Sequence, residues 1–310
     1  MTMMIPRRHV PTVPAKCVDT GGKLIMARLA TVCTLILMFV ILAPSAEATW
    51  RLDGWDVTRV RNFRVTSSTT SASAQPSSKS LSLLYEVLRD EALSKTPIYL
   101  VDLRQESHGF ANGVPVSWHE EHNHANFGKS VSEIEQDEKD RLSSILGKQV
   151  EFVPLGKQDE AEFSKLTMPI EKVQNERHAA ESTGFKYIRF SAADMVFPDP
   201  AVVDDFIKFY LSLPQKHWLH FHCHAGHGRT TTFLVFYDIL TYPDLSLEEI
   251  VKRQHSLGGS DLLAVSSGED WYSEQNRTRA ERLRQFYQYV KEQRDSNFAV
   301  SWSEWLGKRS

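Results

Sequence analysis

The chain has 310 residues, 41% of them hydrophobic and 24% charged, with 36 Lys+Arg against 39 Asp+Glu. That length suits one large domain, or one domain with a small annex. So mildly acidic a balance argues against nucleic acid or an anionic membrane as the partner, so an anionic substrate must be drawn by a local basic pocket.

In chain order, the first element is an export signal. Leu29 to Leu42 is almost wholly apolar, Arg28 precedes it, and Pro44-Ser45-Ala46-Glu47-Ala48 follows with small residues. The run is too short for a comfortable membrane span and reads as a secretory signal cleaved after Ala48, with translation beginning at Met1 or Met26; left uncleaved, it is a membrane anchor. The expected location is periplasmic or secreted. Cys17 and Cys33 lie in this leader, so Cys223 remains as a lone cysteine and an internal disulfide is excluded. The expected organisation is 1–48 as signal region, 49–82 as an N-terminal segment with a Ser/Thr-rich linker at Thr66–Ser78, and 83–310 as the main domain.

Leu83, Leu84, Val87, Leu88 and Leu93 have helical spacing, and Ile98–Leu103 is a short apolar run of the kind buried inside a sheet. Further strands are predicted at Val150–Val153, at Tyr187–Phe190 and just before Cys223. Helices are predicted at Lys165–Ala180, Pro200–Ser212, Arg229–Leu240, Leu247–Leu257 (opened by a capping box, Ser246 with Glu249) and Glu274–Arg294. Helices alternating with short apolar strands indicate an α/β fold with a mostly parallel central sheet flanked by helices.

Chemistry concentrates in His222-Cys223-His224-Ala225-Gly226-His227-Gly228-Arg229-Thr230. A strand, a glycine-containing loop and a helix start form a phosphate cradle, with backbone N–H groups converging on a dianion. The same field favours the thiolate of Cys223, and Arg229 offers a planar fork for two phosphate oxygens. Thr230 is placed to donate a hydrogen bond to the departing thiolate. Expulsion of an alkoxide needs a proton donor. Asp194 stands in a loop after a strand end with no structural role to explain it. Asp199 is its rival, but Pro200 and the spacing of Val203, Phe206, Ile207 and Tyr210 make it a helix N-cap. His220, His222, His224 and His227 crowd the loop, but strand alternation prevents four ligands from meeting at one point and Zn²⁺ on the thiolate would block attack, so no metal or other cofactor is expected. A cationic His227 would add phosphate affinity below about pH 6.5.

Trp218 through Thr232 resembles the protein tyrosine phosphatase superfamily, and specifically its bacterial cysteine phytases. Arg61-Asn62-Phe63-Arg64, Asp102–Gly109, Pro115–Trp118, Lys172-Val173-Gln174, Asp194 with Phe197-Pro198, Arg253-Gln254-His255 with Gly258-Gly259, and Trp302–Leu306 are similar as well. The resemblance spans roughly Trp50 to the C-terminus. It implies a phosphatase fold with a small β-rich annex, Asp194 as general acid, a myo-inositol polyphosphate as substrate, and substrate contacts from His222, His224, Ala225, Gly226, His227, Gly228, Arg61, Arg64 and Arg279. Glu106 and His108 would order the loop or Arg229. Departures bear on the substrate: Met195, Asn123 and Tyr272 replace an expected histidine, aspartate and lysine, and Asp159 displaces a lysine near Lys157. Arg277, Arg279 and Arg282 compensate, and the short segment from Arg64 to Ile98 implies a reduced annex. A phosphotyrosine or phosphoinositide phosphatase shares the same chemistry. A sulfurtransferase fits Arg229 and Thr230 less well, and an inactive phosphate-binding module fits poorly with nucleophile, arginine and acid all present.

Overall fold

The structure, a computed structural model, describes residues 48–54, 56–92, 96–154, 165–265 and 267–309. The leader, and the positions near Lys157 and Asp159, lie outside these. The central sheet is built on β4 (Ile98–Arg104), where alternate apolar side chains serve opposite faces: Ile98 and Leu100 join one core, Val101 and Leu103 the other. Both faces are thus covered, as a parallel strand requires. Parallel partners flank it, β10 (Lys186–Ala192) on one side and β11 (Trp218–His222) on the other, and β3 (Thr70–Ser73) lies parallel beyond β11. The two-residue β2 (Arg64–Val65) closes the edge antiparallel, giving the order β10-β4-β11-β3-β2.

On one face, α1 (Ser78–Glu91) and α3 (Glu176–Thr183) bury Leu81, Leu84, Leu88, Ala179 and Ala180. On the other sit α4 (Pro200–Ser212), α5 (Gly228–Thr241), α6 (Leu247–Ser256), α7 (Trp271–Gln293) and α8 (Trp302–Gly307). Arg229 to Leu240 is buried all round, so α5 is the central helix of this layer and fixes the loop that precedes it. Phe236 packs on Phe197, Phe206, Phe233 and Phe286. The capping box at Ser246 and Glu249 forms.

The annex is a second, antiparallel sheet of β1 (Thr49–Leu52), β6 (Val114–His119), β5 (His108–Ala111) and β9 (Val173–Gln174), with a ribbon of β7 (Gln149–Phe152) and β8 (Leu166–Pro169). The helix α2 (Val131–Ile145), not expected from the sequence, closes it, and Trp50, Leu52, Val116, Leu142 and Phe152 form its own core.

Three expectations are corrected. Thr66–Ser78 is not a linker: Thr70, Ser71 and Ser73 are fully buried in the central sheet. Their hydroxyls are satisfied internally, Thr70 by Thr66 and Ser67, and Ser71 and Ser73 by the two ring nitrogens of His220, so polarity does not oppose burial. Lys165–Ala180 is two strands before a short helix, because Leu166 and Met168 alternate in a half-buried ribbon and Asn175 caps a helix that starts only at Glu176. The annex is not drawn from residues 64–98 but from β1 and the segments around β4 and α3, so the brevity of 64–98 does not shorten it.

Because Phe236 is fully buried at the hub under the loop, Phe236→Ala is expected to lower stability by about 3–5 kcal/mol. A shift of the urea midpoint at unchanged m value measures it.

Candidate active site

β11 delivers Cys223 to the top of the sheet, and α5 begins five residues later at Gly228. Between them the loop turns tightly over the end of β3. Gly226 has φ +75°, and a Cβ there would lie 2.6 Å from the backbone of Ser73 and Ala74, so both conformation and contact require glycine. The Gly226 N–H donates to Cys223 Sγ at 3.3 Å, and the Gln75 N–H holds the His224 carbonyl at 3.2 Å. Cys223 is 3% exposed. No side chain caps α5, so its first amides are left to the loop.

Arg229 reaches back under the sulfur and is 4% exposed. Glu106 accepts both of its terminal nitrogens, Nη1 on Oε2 at 2.6 Å and Nη2 on Oε1 at 2.9 Å. Nη1 also donates to the Ala192 carbonyl at 3.2 Å. Glu106 is shared with Arg104, whose Nε donates to Oε1 at 2.8 Å, and Arg104 in turn donates to Asp53 and Gln75 at 2.8 Å each. Burial opposes the charge on Glu106, but Arg229 and Arg104 outweigh it and hold the carboxyl well below its usual range. Burial likewise opposes the Arg229 charge, yet Asp194 and Glu106 raise that guanidinium well above its ordinary value.

Asp194 stands at the pocket. Its Oδ2 lies 3.1 Å from Arg229 Nη2 and accepts from Asn123 Nδ2 at 3.2 Å, while Oδ1 accepts the Met195 N–H at 3.0 Å. His124 Nε2 donates to the Asp194 carbonyl at 2.8 Å, and Arg279 Nη2 to the Met195 carbonyl at 2.6 Å. Asp199 is exposed at the start of α4, and its side chain makes no capping bond. It occupies the cap position without the hydrogen bond expected of it.

The histidines divide by role. His222 is fully buried behind Cys223, with Nε2 3.4 Å from Glu176 Oε2, and burial lowers its pKa despite Glu176 and Asp102. The His224 side chain turns away from the pocket: Nε2 lies 3.1 Å from Asp53 Oδ1 and the ring rests on Arg51. Through that carboxylate the ring braces the loop. His227 sits at the rim, where Asn62 Nδ2 contacts its Nε2 at 2.9 Å and the Ala225 carbonyl at 2.7 Å. Burial, then Arg64 and Arg61, push its pKa down, so it charges only below the range expected from the sequence.

Among the basic residues, Arg64 as well as Arg229 interacts with Cys223. Arg64 Nε and Nη2 are buried without hydrogen-bond partners among the described residues, and Cys223 partly offsets the lowering of the Arg64 pKa by burial. Arg61 Nη2 donates to the Asp53 carbonyl at 2.7 Å. Arg279 grips the acid loop, whereas Arg277 donates to Gly268 and Arg282 to Gln285. Arg282 also lines a separate hollow beside Phe197 and Asp199. The Thr230 hydroxyl is buried and makes no hydrogen bond among the described residues, to Cys223 or to another group. Sequence reasoning missed Arg51, whose Nη1 donates to His119 Nδ1 at 3.1 Å and whose own charge burial opposes while Asp53, Glu106 and Asp194 favour it. It missed His119 and His124 too. All three are set by the annex, and no local spacing announces them.

Asp102, His108 and Glu176 present ligand-type atoms within 4.8 Å of one another. His108 cannot serve as a ligand in this arrangement: Nδ1 donates to the Glu106 carbonyl at 2.9 Å and Nε2 to Glu176 at 3.0 Å, so both nitrogens carry protons. Burial opposes that charge, but Asp102 and then Glu138 push the pKa up to about 10. An imidazolium takes the place a cation would fill.

The model of the protein tyrosine phosphatase-like phytase family, described by inositol hexakisphosphate, matches residues 101–241. A protein tyrosine phosphatase-like phytase from Bdellovibrio bacteriovorus is 31% identical, with TM-score 0.72, over 86% of this chain and 97% of that one. A protein tyrosine phosphatase-like myo-inositol phosphatase from Mitsuokella multacida, solved with myo-inositol-(1,3,4,5)-tetrakisphosphate, is 31% identical with TM-score 0.79, over 92% of this chain and 54% of that one. Effector protein hopD2 of Pseudomonas syringae pv. tomato is 26% identical over 230 residues, 70% of this chain and 47% of its own length. The chain therefore spans about half the length of the last two.

The raised pKa of His108 has a signed consequence. Its ring is charged in the folded state up to about pH 10, against an ordinary value of 6.5, so the stabilisation is complete below about 6.5 and is lost as pH rises toward 10. The stability gap between the wild type and His108→Gln, measured by urea denaturation, is expected to narrow by on the order of a few kcal/mol across that window. A constant gap would mean that the ring is neutral.

Proposed function

The chain belongs to the protein tyrosine phosphatase-like phytase family, and from that premise we propose that it is a cysteine-dependent phosphatase that removes phosphate from myo-inositol polyphosphates through a phosphocysteine intermediate. The observation that carries the reading is the convergence of Cys223 Sγ, the Gly226 amide, the Glu106-held Arg229 and Asp194 in one site.

The Cys223 sulfur attacks phosphorus in line, forming the S–P bond as the ester P–O bond breaks. Glu106 occupies the Nη1–Nη2 edge of Arg229, which leaves Nε, unpartnered among the described residues, and the Nη2 proton now directed at Asp194. A phosphate bound to that second edge takes the place of the Asp194 carboxylate and is met by the loop amides as charge develops. Displaced from Arg229, the Asp194 carboxylate takes up a proton, in the first turnover from solvent and afterwards from the attacking water, and delivers it to the leaving oxygen. A water then attacks phosphorus, gives its proton back to Asp194, and frees orthophosphate and the thiolate, which accepts from the Gly226 amide; the Thr230 hydroxyl makes no bond to the sulfur, contrary to the expectation from the sequence. Arg64 adds positive charge on the sulfur side. We also place the enzyme outside the cytoplasm, on the strength of the apolar run and small-residue site at Leu35–Ala48.

A second reading, a phosphotyrosine or phosphoinositide phosphatase directed at host molecules, is favoured by the similarity to a protein named as an effector.

Cys223→Ser is expected to abolish phosphate release, and Asp194→Asn to lower kcat by roughly two to four decades. Asp199→Asn should have little effect; greater damage from it would move the acid to that residue. Intact-mass detection of phosphate on Cys223 in the Asp194→Asn variant tests the intermediate directly. Glu106→Gln, which unfastens Arg229, should cost roughly a hundredfold in kcat/KM, as followed by phosphate release from inositol hexakisphosphate.

A further inference from the structure

We propose that Asn62 is a positioning residue for the nucleophile: with an uncharged His227 it forms a clamp at the pocket rim that aims the Gly226 amide at the Cys223 sulfur and that acid releases. The inference rests on the phosphatase reading above. Asn62 Nδ2 lies 2.7 Å from the Ala225 carbonyl oxygen and 2.9 Å from His227 Nε2. A carbonyl oxygen can only accept, so the Asn62 atom facing it is the amide nitrogen. That nitrogen carries two protons, and His227 Nε2 must accept the second. The ring is therefore neutral, with its proton on Nδ1.

The Ala225 carbonyl and the Gly226 N–H belong to one rigid peptide plane and point in opposite directions. Holding the carbonyl from the rim therefore turns the amide inward, where it donates to Cys223 Sγ at 3.3 Å. Asn62 is itself anchored on both sides. The Ala74 N–H donates to the Arg61 carbonyl at 2.9 Å, and Arg64 Nη1 donates to the Asn62 carbonyl at 3.2 Å. Its φ of 51° is a left-handed conformation that asparagine tolerates better than most residues. His227 occupies the N-cap of α5, yet its side chain makes no capping bond. The ring is spent on Asn62, which leaves the first amides of the helix to an anion.

Acid acts on the acceptor. A second proton on the ring removes the lone pair of Nε2, and two donors then face each other across 2.9 Å. The charged groups that bear on the ring are Arg64 and then Arg61, both cations of the segment that carries Asn62. The Cys223 sulfur, in the same loop as His227, bears on Arg64 and Arg229. Burial first, and then both arginines, disfavour the imidazolium, so the clamp is closed at neutral pH and opens only below the ordinary histidine range.

The test measures kcat/KM on inositol hexakisphosphate for the wild type, Asn62→Gly, Asn62→Asp and His227→Gln between about pH 7.5 and about pH 5. The imidazole nitrogen NMR spectrum of His227 is recorded alongside for the wild type. Glycine keeps the left-handed backbone without strain and removes only the clamp. Aspartate keeps the shape but has no proton to give the Ala225 carbonyl. Both are expected to lower kcat/KM roughly tenfold at about pH 7.5, a part of the hundredfold or more that one oxyanion donor is worth. Glutamine at 227 can accept from Asn62 but cannot charge, so the ratio of His227→Gln to wild type should rise roughly threefold toward about pH 5. A cationic ring that adds phosphate affinity would make that ratio fall, which overturns the proposal. So does an Asn62→Gly enzyme with the wild-type kcat/KM, even one with a lowered melting temperature, or a His227 ring protonated on Nε2 at neutral pH. A wild type that releases no phosphate overturns the phosphatase reading, and the nitrogen spectrum then decides the clamp by itself.

Discussion

The structure turns on the fork between Glu106 and Arg229. A guanidinium buried at the floor of an anion pocket is costly to hold without a partner, and one that is fully paired cannot bind phosphate. Glu106 resolves this by taking one edge of the fork and leaving the other. Because Glu106 also serves Arg104, and Arg104 serves Asp53, the arrangement continues as an alternating row of charges to Asp53, whose carboxylate meets the His224 ring on the far side of the cysteine loop. Both ends of the loop are thereby fixed by one buried network, and breaking an ion pair within it leaves an uncompensated charge inside the protein.

The annex is what makes that chain local. Asp53 follows β1, Ser117 on β6 donates to it at 2.7 Å, and Arg51 on β1 bridges His119 and His224. The small sheet thus supplies one wall of the site, while the turn after β6 supplies Asn123 and His124 for the acid loop. The candidate catalytic groups on the main sheet are thus oriented by groups on the annex.

A second layer of buried charge lies behind the nucleophile. Charged His108 among Asp102, Glu138 and Glu176, with Arg189 donating to Glu138 at 2.8 Å, balances carboxylates that would otherwise repel one another beneath β11. His222 borders this layer, with both ring nitrogens buried and without hydrogen-bond partners among the described residues and Nε2 3.4 Å from Glu176 Oε2. On the outer side, the acid loop is framed by the His122, Trp271 and Tyr272 rings together with the Arg279 guanidinium.

By itself, the sequence determined the elements whose signal is local. The apolar runs of β4, β10 and β11, the spacing of α4 to α7, and the Cys223–Arg229 loop with its glycines are all written in contiguous residues, since a tight loop before a helix needs those residue types in that order. Asp194 was legible because no cap or core role explained it. The tertiary structure alone decided the rest. A Ser/Thr-rich stretch became a buried strand because His220, distant in sequence, satisfies its hydroxyls. Arg51, His119 and His124 entered the site because an antiparallel annex carries them there, and the His224 ring settled on Asp53, which that annex also supplies. Those outcomes depend on which partner lies across a long-range contact, and no spacing along the chain encodes that.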